Sequence, residues 1–515
     1  MKLEKSFSSD CVPPIRRRRC VTGVCMNDRY LGIDMGTSSM KLVLIDDAQR
    51  VLAQATEHYT FDAYPDGRCE MNPGLWYQAL VQGVRRLLRD AGCSAVRSIS
   101  LTGQMHSLTV LDGAGAVLRP SIMWNDLRTG GEIVSLKETL RSFDEGDAIA
   151  AIVSTGSPAA SLHWLCVHEP SSYARIAHFL IGSSYLVFRL TGRYAIDYCN
   201  ASTSGLYESR ARRWSSGILA FLGLSETACP EVLGSSEIAG MLSETARLDL
   251  GLSAPAAVLV GTGDNAAAAF AAGIVPNTQR AARSMLLSLG TSGVLTAAAQ
   301  PSSAGSEYTG PGKRFLFSPD GLQYTVLVQG VEQSCGKTLS WWMNDILGES
   351  DLLSIDRTIR PENHTDCSVL FFPHLNGDKT LYADPNLRGA FIGLSLNTRK
   401  EDMLYAVLEG LCFGIRELYE AMQPDADPLL VIGGGTKSTV WMQILANVLE
   451  HPVGCSPLPC DAAFGAALLA ADAVPASAGE PLCVFRPDSD LFPFCRRRYQ
   501  IYRRFYRGLS AITNA

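Results

Sequence analysis

Ala257-Val258-Leu259-Val260-Gly261-Thr262-Gly263-Asp264-Asn265, followed by the small residues Ala266 to Ala269, lies near the middle of a 515-residue chain. Four consecutive apolar residues predict a buried strand. The Gly-Thr-Gly segment then permits a sharp turn and delivers a carboxylate where burying a polar group without a purpose is costly. Behind it, the alanines predict a tightly packed helix start. Asp264 therefore has two readings: a cap for that helix, or an acid aimed into a cleft.

On either side of this stretch stand two versions of one pattern. Tyr30-Leu31-Gly32-Ile33-Asp34-Met35 leads into Gly36-Thr37-Ser38-Ser39-Met40-Lys41 and then Leu42 to Asp46, a strand, a tight turn and a second strand. Successive N–H groups and the hydroxyls of Thr37, Ser38 and Ser39 would cradle phosphate oxygens, and Asp34 could hold a metal beside them. Ser284 to Leu289, Gly290-Thr291-Ser292 and Gly293 to Leu295 repeat the form. Two copies about 250 residues apart predict two related halves, each carrying one phosphate-facing hairpin across a cleft.

Other segments carry hydrogen-bonding groups at strand ends. After a helix-patterned stretch from Glu70 to Gly92, a strand over Val96 to Leu101 reaches the turn Thr102-Gly103-Gln104-Met105-His106-Ser107. Trp124-Asn125-Asp126-Leu127-Arg128 then packs an aromatic, an amide, an acid and a guanidinium into five positions, a set suited to a polyhydroxylated ligand. A strand pair is expected around Tyr194 to Tyr198, with a polar turn over Asn200 to Gly205. Gly330-Val331-Glu332-Gln333-Ser334-Cys335-Gly336-Lys337-Thr338 nearly spells a P-loop, but it places five residues between its glycines where that loop needs four. Gly336 can still line a nucleotide. A long helix is predicted from Thr398 to Met422. Leu429 to Ile432 then runs into Gly433-Gly434-Gly435-Thr436-Lys437-Ser438, where glycines let a ring or phosphate approach the backbone at a helix start. A small-residue helix over Asp461 to Ala471 and an amphipathic surface helix over Arg496 to Arg507 complete the chain.

Composition narrows the function classes. A net charge of −6 leaves no basic surplus for neutralising nucleic-acid phosphates, and 8% aromatic residues give no stacking platform. The fifteen cysteines are scattered, with no pair at zinc spacing, and read as reduced thiols of a cytoplasmic protein. No apolar run reaches the length of a membrane span. Residues 1–28, with Arg16 to Arg19 but no following apolar stretch, are expected to be a disordered leader.

Taken together, these stretches resemble the FGGY family of carbohydrate kinases over residues 29 to 505, with the motifs in family order. The resemblance implies an α/β fold of two actin-like ATPase (ribonuclease H-like) domains flanking a central cleft: a sugar-binding domain over 29–256 and a nucleotide-binding domain over 257–505. It implies Asp264 as catalytic base, with Asn265, Met105, His106, Trp124, Asp126 and Arg128 at the sugar. Gly36, Thr37, Ser38 and Lys41, with Gly290, Thr291 and Ser292, would hold ATP phosphates. Gly336 would lie near the nucleotide, and Gly433, Gly434, Gly435, Lys437 and Ser438 at the adenosine. Mg²⁺ would sit at Asp34. The implied acceptor is the primary hydroxyl of a ketose, D-xylulose first, with L-ribulose and gluconate as alternatives; a homodimer is the implied assembly. Glycerol is disfavoured, since glycerol kinases carry Arg-Glu where Met105-His106 stand. Two positions depart from the pattern: Ser107, where ketose-acting members often have Gly, and Ser161-Leu162-His163-Trp164, where many have Pro-Lys before the aromatic. A sugar sensor or chaperone-like ATPase of the actin-like fold is the rival of a different class. The Met105-His106 and Trp124–Arg128 sets count against the chaperone, and the retained Asp264, Asp34 and hairpins against the sensor.

Overall fold

Each Gly-Thr-Ser segment turns between two antiparallel strands. A computed structural model describes residues 28–274, 285–299, 312–364, 367–378, 380–382, 384, 386–422, 429–455, 461–474 and 483–513. The expected leader, apart from Asp28, lies outside the described residues, as does Ser284.

The first sheet contains β1 (Arg29–Met35), β2 (Ser39–Asp46), β3 (Val51–His58), β4 (Ser98–Gly103), β5 (Ile238–Met241) and β6 (Ala257–Gly263), in spatial order β5-β6-β4-β1-β2-β3. β1, β2 and β3 form an antiparallel meander, β1, β4 and β6 run parallel, and β5 closes the edge antiparallel. The second sheet contains β7 (Met285–Leu289), β8 (Gly293–Ala298), β9 (Lys313–Phe317), β10 (Thr325–Glu332), β11 (Leu429–Ile432), β12 (Val453–Cys455) and β13 (Cys483–Phe485). Its order is β9-β10-β8-β7-β11-β12-β13. The pairings β10-β8-β7 antiparallel, β7-β11-β12 parallel and β12-β13 antiparallel repeat those of the first sheet strand for strand, with β9 added at the edge. The duplication read from two short turns is thus a duplication of whole sheets.

Helices cover the sheets with apolar faces. α1 (Pro73–Asp90) is capped by Asn72, whose side chain accepts the Gly74 N–H, and buries Trp76, Leu80, Val84 and Leu87 at helical spacing. α2 (Asp264–Ala271) follows β6 directly. In the second half, α3 (Lys400–Met422) and α4 (Thr439–Leu449) bury most of their length in one large core. α5 (Ala462–Ala470) crosses back and wedges between β1 and α2. Its approach is set by glycine: a Cβ at Gly32 would stand 2.0 Å from the Ala463 carbonyl oxygen, and one at Gly465 2.0 Å from that of Ala267. α6 (Phe492–Thr513) ends the described chain.

Three expectations need correction. The boundary at 256/257 falls between a strand and the sheet it belongs to, because β6 pairs with β4 in the first sheet, and α5 packs on that sheet too. Asn200 to Gly205 is not a simple polar turn: Tyr198–Ser202 is a helix, capped by Asp197 through the N–H groups of Cys199 and Asn200. The carboxy-terminal helix is not merely a surface element. Arg498 is buried, its guanidinium bound to the fully buried Glu409 and to the Val369 carbonyl; Tyr502 beside it has no exposed surface. Among the described residues, no helix is long and apolar enough to cross a membrane.

Candidate active site

The end of β6 is built to present one carboxylate. Pairing with β4 is interrupted by a bulge between Leu259 and Thr262. Gly261 there takes φ +74°, and a Cβ would lie 1.6 Å from the Leu101 carbonyl oxygen, so only glycine fits. Buried Asp197 fixes the turn, accepting from Thr262 Oγ1 at 2.6 Å, Asn200 Nδ2 at 2.7 Å and Cys199 N at 2.9 Å. Asp264 then opens α2 as its first residue, with Gly263 in the capping position. Its carboxylate accepts the Asn265 N–H at 2.8 Å. Burial raises its pKa to about 6, partly opposed by its backbone hydrogen bonds.

Facing it is Asp34, paired across the first hairpin with Lys41. Burial, then the charge of Asp264, and to a lesser degree that of Asp461, raise Asp34 to about 7 against the pull of Lys41. Asp34 Oδ1 is buried and has no hydrogen-bond partner. An orphaned carboxylate oxygen with two more carboxylates in electrostatic reach is an all-oxygen donor set, which fits Mg²⁺. Asp461 was not singled out in the sequence; it caps α5 through the Phe464 N–H at 2.9 Å.

The sugar-side candidates gather beside this acid. Asn265 Nδ2 lies 3.9 Å from Met105 Sδ, and a Cβ at Gly263 would press on the same side chain. His106 holds φ +73°, a conformation unusual for a non-glycine residue. Burial pushes its pKa well down, helped by Lys313 of β9. That lysine crosses from the second half, with Nζ 3.2 Å from Ser154 Oγ. Trp124 exposes 42% of its surface. Its Nε1 donates to Thr37 Oγ1 at 3.0 Å, tying the sugar-side motif to the first hairpin. Its backbone N–H donates to Ser107 Oγ at 3.2 Å, which accounts for serine in place of glycine. The sequence reading missed Gln104 and Asn125 as individual site residues, although both lie in the quoted motifs. Both amide atoms of Gln104 and Oδ1 of Asn125 are buried without partners, which marks them as groups awaiting a ligand.

Asp126 does not join this set. It has no exposed surface, and its oxygens accept from Cys69 N at 2.6 Å and from Arg128 Nε and its terminal guanidinium nitrogen at 2.9 and 2.8 Å. Arg128 also donates to Glu70 at 2.7 Å and lies over the Trp164 ring. Asp126 therefore positions Arg128. Glu132 bridges His163 and His168, so the departure at residues 161–164 builds a local clamp.

On the nucleotide side, Tyr59 donates to the Gly36 carbonyl at 2.6 Å and the Gly36 N–H to the Ser39 carbonyl at 2.9 Å, fixing the first turn. The second turn is clasped from below, as the N–H groups of Gly336 and Lys337 donate to the carbonyls of Gly290 and Thr291, each at 3.0 Å. Thr291 is exposed, as is Lys437. Gly433 takes φ +99°, and Gly434 has open space where a Cβ would be. Ser438 is turned away: fully buried, it caps α4 through the Trp441 N–H and donates to Asp356 Oδ1. Its hydroxyl is committed to these bonds.

Two Gly-Thr-Ser hairpins on duplicated sheets, with an acid at the end of β6, are the pattern of the actin-like class of ATP-using enzymes. Within that class, the N-terminal domain of the FGGY family of carbohydrate kinases matches residues 29–271 and the C-terminal domain matches residues 285–474. The chain belongs to this family and is an ATP-dependent sugar kinase. It is 30% identical over 444 residues to a xylulose kinase of Staphylococcus xylosus, covering 86% of this chain and 90% of that one. It is 32% identical to a xylulose kinase of Streptomyces rubiginosus, covering 86% and 87%. The crystal structure of a xyloylose kinase from Brucella ovis superposes with a TM-score of 0.82 at 33% identity, over 94% of this chain and 100% of that one. A gluconate kinase structure from Lactobacillus acidophilus, at 20% identity and TM-score 0.81 over 94% and 99% of the two chains, shares the fold.

Proposed function

We propose that the chain phosphorylates the primary hydroxyl of D-xylulose, giving D-xylulose 5-phosphate, with Asp264 as general base. The observation that carries this reading is the placement of Asp264 at the end of β6: its carboxylate accepts the Asn265 N–H, the Asn265 side chain reaches Met105, and its charge acts on Asp34 of the first hairpin. The xylulose kinase names of its relatives support the choice of sugar.

Phosphoryl transfer depends on alignment and charge neutralisation more than on covalent help. Asp264 accepts the hydroxyl proton as that oxygen attacks the γ-phosphate in line. Its pKa near 6 leaves it ionised at neutral pH yet basic enough to take the proton. The neutral imidazole of His106 and the amides of Gln104 and Asn125 bond sugar hydroxyls without adding charge, while the Trp124 ring covers the apolar face of the carbon chain. N–H groups of the two hairpin turns stabilise the transferring group. Asp34, with Asp264 and Asp461 nearby, would hold Mg²⁺, which neutralises charge on the triphosphate oxygens when bound. Closing the cleft excludes water, which would otherwise accept the phosphoryl group.

One observation favours a second reading. The Lys313 ammonium adds positive charge beside His106, which would suit a sugar acid such as gluconate. Sugar-dependent ADP release with D-xylulose, L-ribulose, gluconate, glycerol and a no-sugar blank separates the two. D-xylulose should give the largest kcat/KM, falling as pH drops below about 6. Gluconate in first place would move the substrate, and all sugars equal to the blank would refute the assignment.

A further inference from the structure

Away from the cleft, Glu332 at the end of β10 meets His374 and Asp378 from the loop that follows the strand Leu370–Phe372. One donor atom from each lies within 4.8 Å of the others, and each residue is only 2% exposed. The structure assigns this trio, we propose, as a divalent-cation site that braces the nucleotide half, separate from the catalytic Mg²⁺.

The surroundings favour a cation. Glu417 of α3 adds its carboxylate, held by the Tyr382 hydroxyl at 2.5 Å, while Arg503 stands 3.8 Å from it with a largely exposed side chain. Gly414 of α3 presses so closely that a Cβ there would lie 2.5 Å from Glu332 Oε2, which locks that carboxylate in place. Asp378 is oriented by the N–H groups of Leu381 and Tyr382 on its Oδ1. Independently of the carboxylates, the buried His374 ring has an Nδ1 with no hydrogen-bond partner, while Nε2 meets the Tyr502 hydroxyl at 3.4 Å. A ring with one nitrogen on an oxygen and the other unpartnered is the arrangement of a metal-bound histidine.

Two carboxylates and one imidazole suit Mn²⁺ or Zn²⁺ better than Mg²⁺, which prefers oxygen and water. The location gives the site a task. Glu332 stands directly across from Gly293, the first residue after the Gly290–Ser292 turn, in the β8–β10 ladder. A cation here would fix the base of the second phosphate hairpin.

The test uses the whole chain, stripped with chelator and free of nucleotide. Added Mn²⁺ or Zn²⁺ should raise Tm by several degrees, with Mg²⁺ at equal concentration giving a smaller shift. The shift should persist in Asp34→Asn, which removes the cleft site, and vanish when Glu332→Gln is added to that variant. A Tm indifferent to both metals, or a shift that survives Glu332→Gln in that variant, overturns the proposal. Should Glu332→Gln fail to fold, Asp378→Asn answers the same question, and wild-type protein that retains no Mn²⁺ or Zn²⁺ through desalting would equally overturn it.

Discussion

Asp264 and Asp461 each stand before an alanine-rich helix, one beside each parallel strand of a duplicated sheet, and the two helices α2 and α5 pack against each other. Asp461 occupies the capping position, its carboxylate bound to the N–H three residues on. Asp264 sits one residue further along, inside the first turn, where its carboxylate accepts the N–H of the next residue at 2.8 Å. A shift of one residue relative to the helix start separates a capping carboxylate from one inside the first turn, the carboxylate we propose as the base.

The largest effect should separate them outright. Asp264→Asn should lower kcat by about 10²–10⁴-fold while leaving the sugar dissociation constant nearly unchanged; an equal loss of binding, measured by calorimetry, would make Asp264 structural. Next comes a stability effect of opposite sign to the activity loss. Asp34 is raised to about 7 in the folded chain, so its contribution to stability is full below its unfolded pKa and is lost as pH rises through 7. Asp34→Asn, which stays neutral, should therefore raise Tm by a few degrees at pH 8 in metal-free buffer, with the gain gone near pH 4. A constant offset across that range would break the electrostatic account. Asp461→Ala should cost about 1 kcal/mol of stability through the lost cap, and Asp461→Asn should restore it. If the asparagine variant stays unstable by denaturant unfolding, the cap reading of Asp461 fails. Smallest, Trp124→Phe keeps the ring but loses the bond to Thr37, and should raise the ATP KM by a few-fold, roughly the worth of one neutral hydrogen bond.

The hairpins, the acid and the long helices were legible because glycine-containing turns and apolar periodicity are local signals. What escaped was set by contacts between distant segments. β6 joins the first sheet by pairing with β4, which lies about 160 residues earlier, a pairing that a local pattern does not carry. Asp126 and Ser438 look available in sequence, yet Arg128 and the α4 helix start consume them. Asp197 resembled one residue of a strand until Thr262 closed on it from the turn before Asp264. Arg498 read as one more surface cation because Glu409, its buried partner, stands 89 residues away.

The wedge of α5 between β1 and α2 also sets an order of events during synthesis. The floor of the first sheet, with Gly32 shaped for Ala463 and Ala467, stays uncovered until residue 470 has left the ribosome. At about 5–20 residues per second, some 200 residues of the second half emerge while that apolar surface waits. A chain truncated before Ala462 would leave the amino-terminal half unfinished and prone to aggregate, and the first half expressed alone would need this helix supplied as a separate peptide to fold.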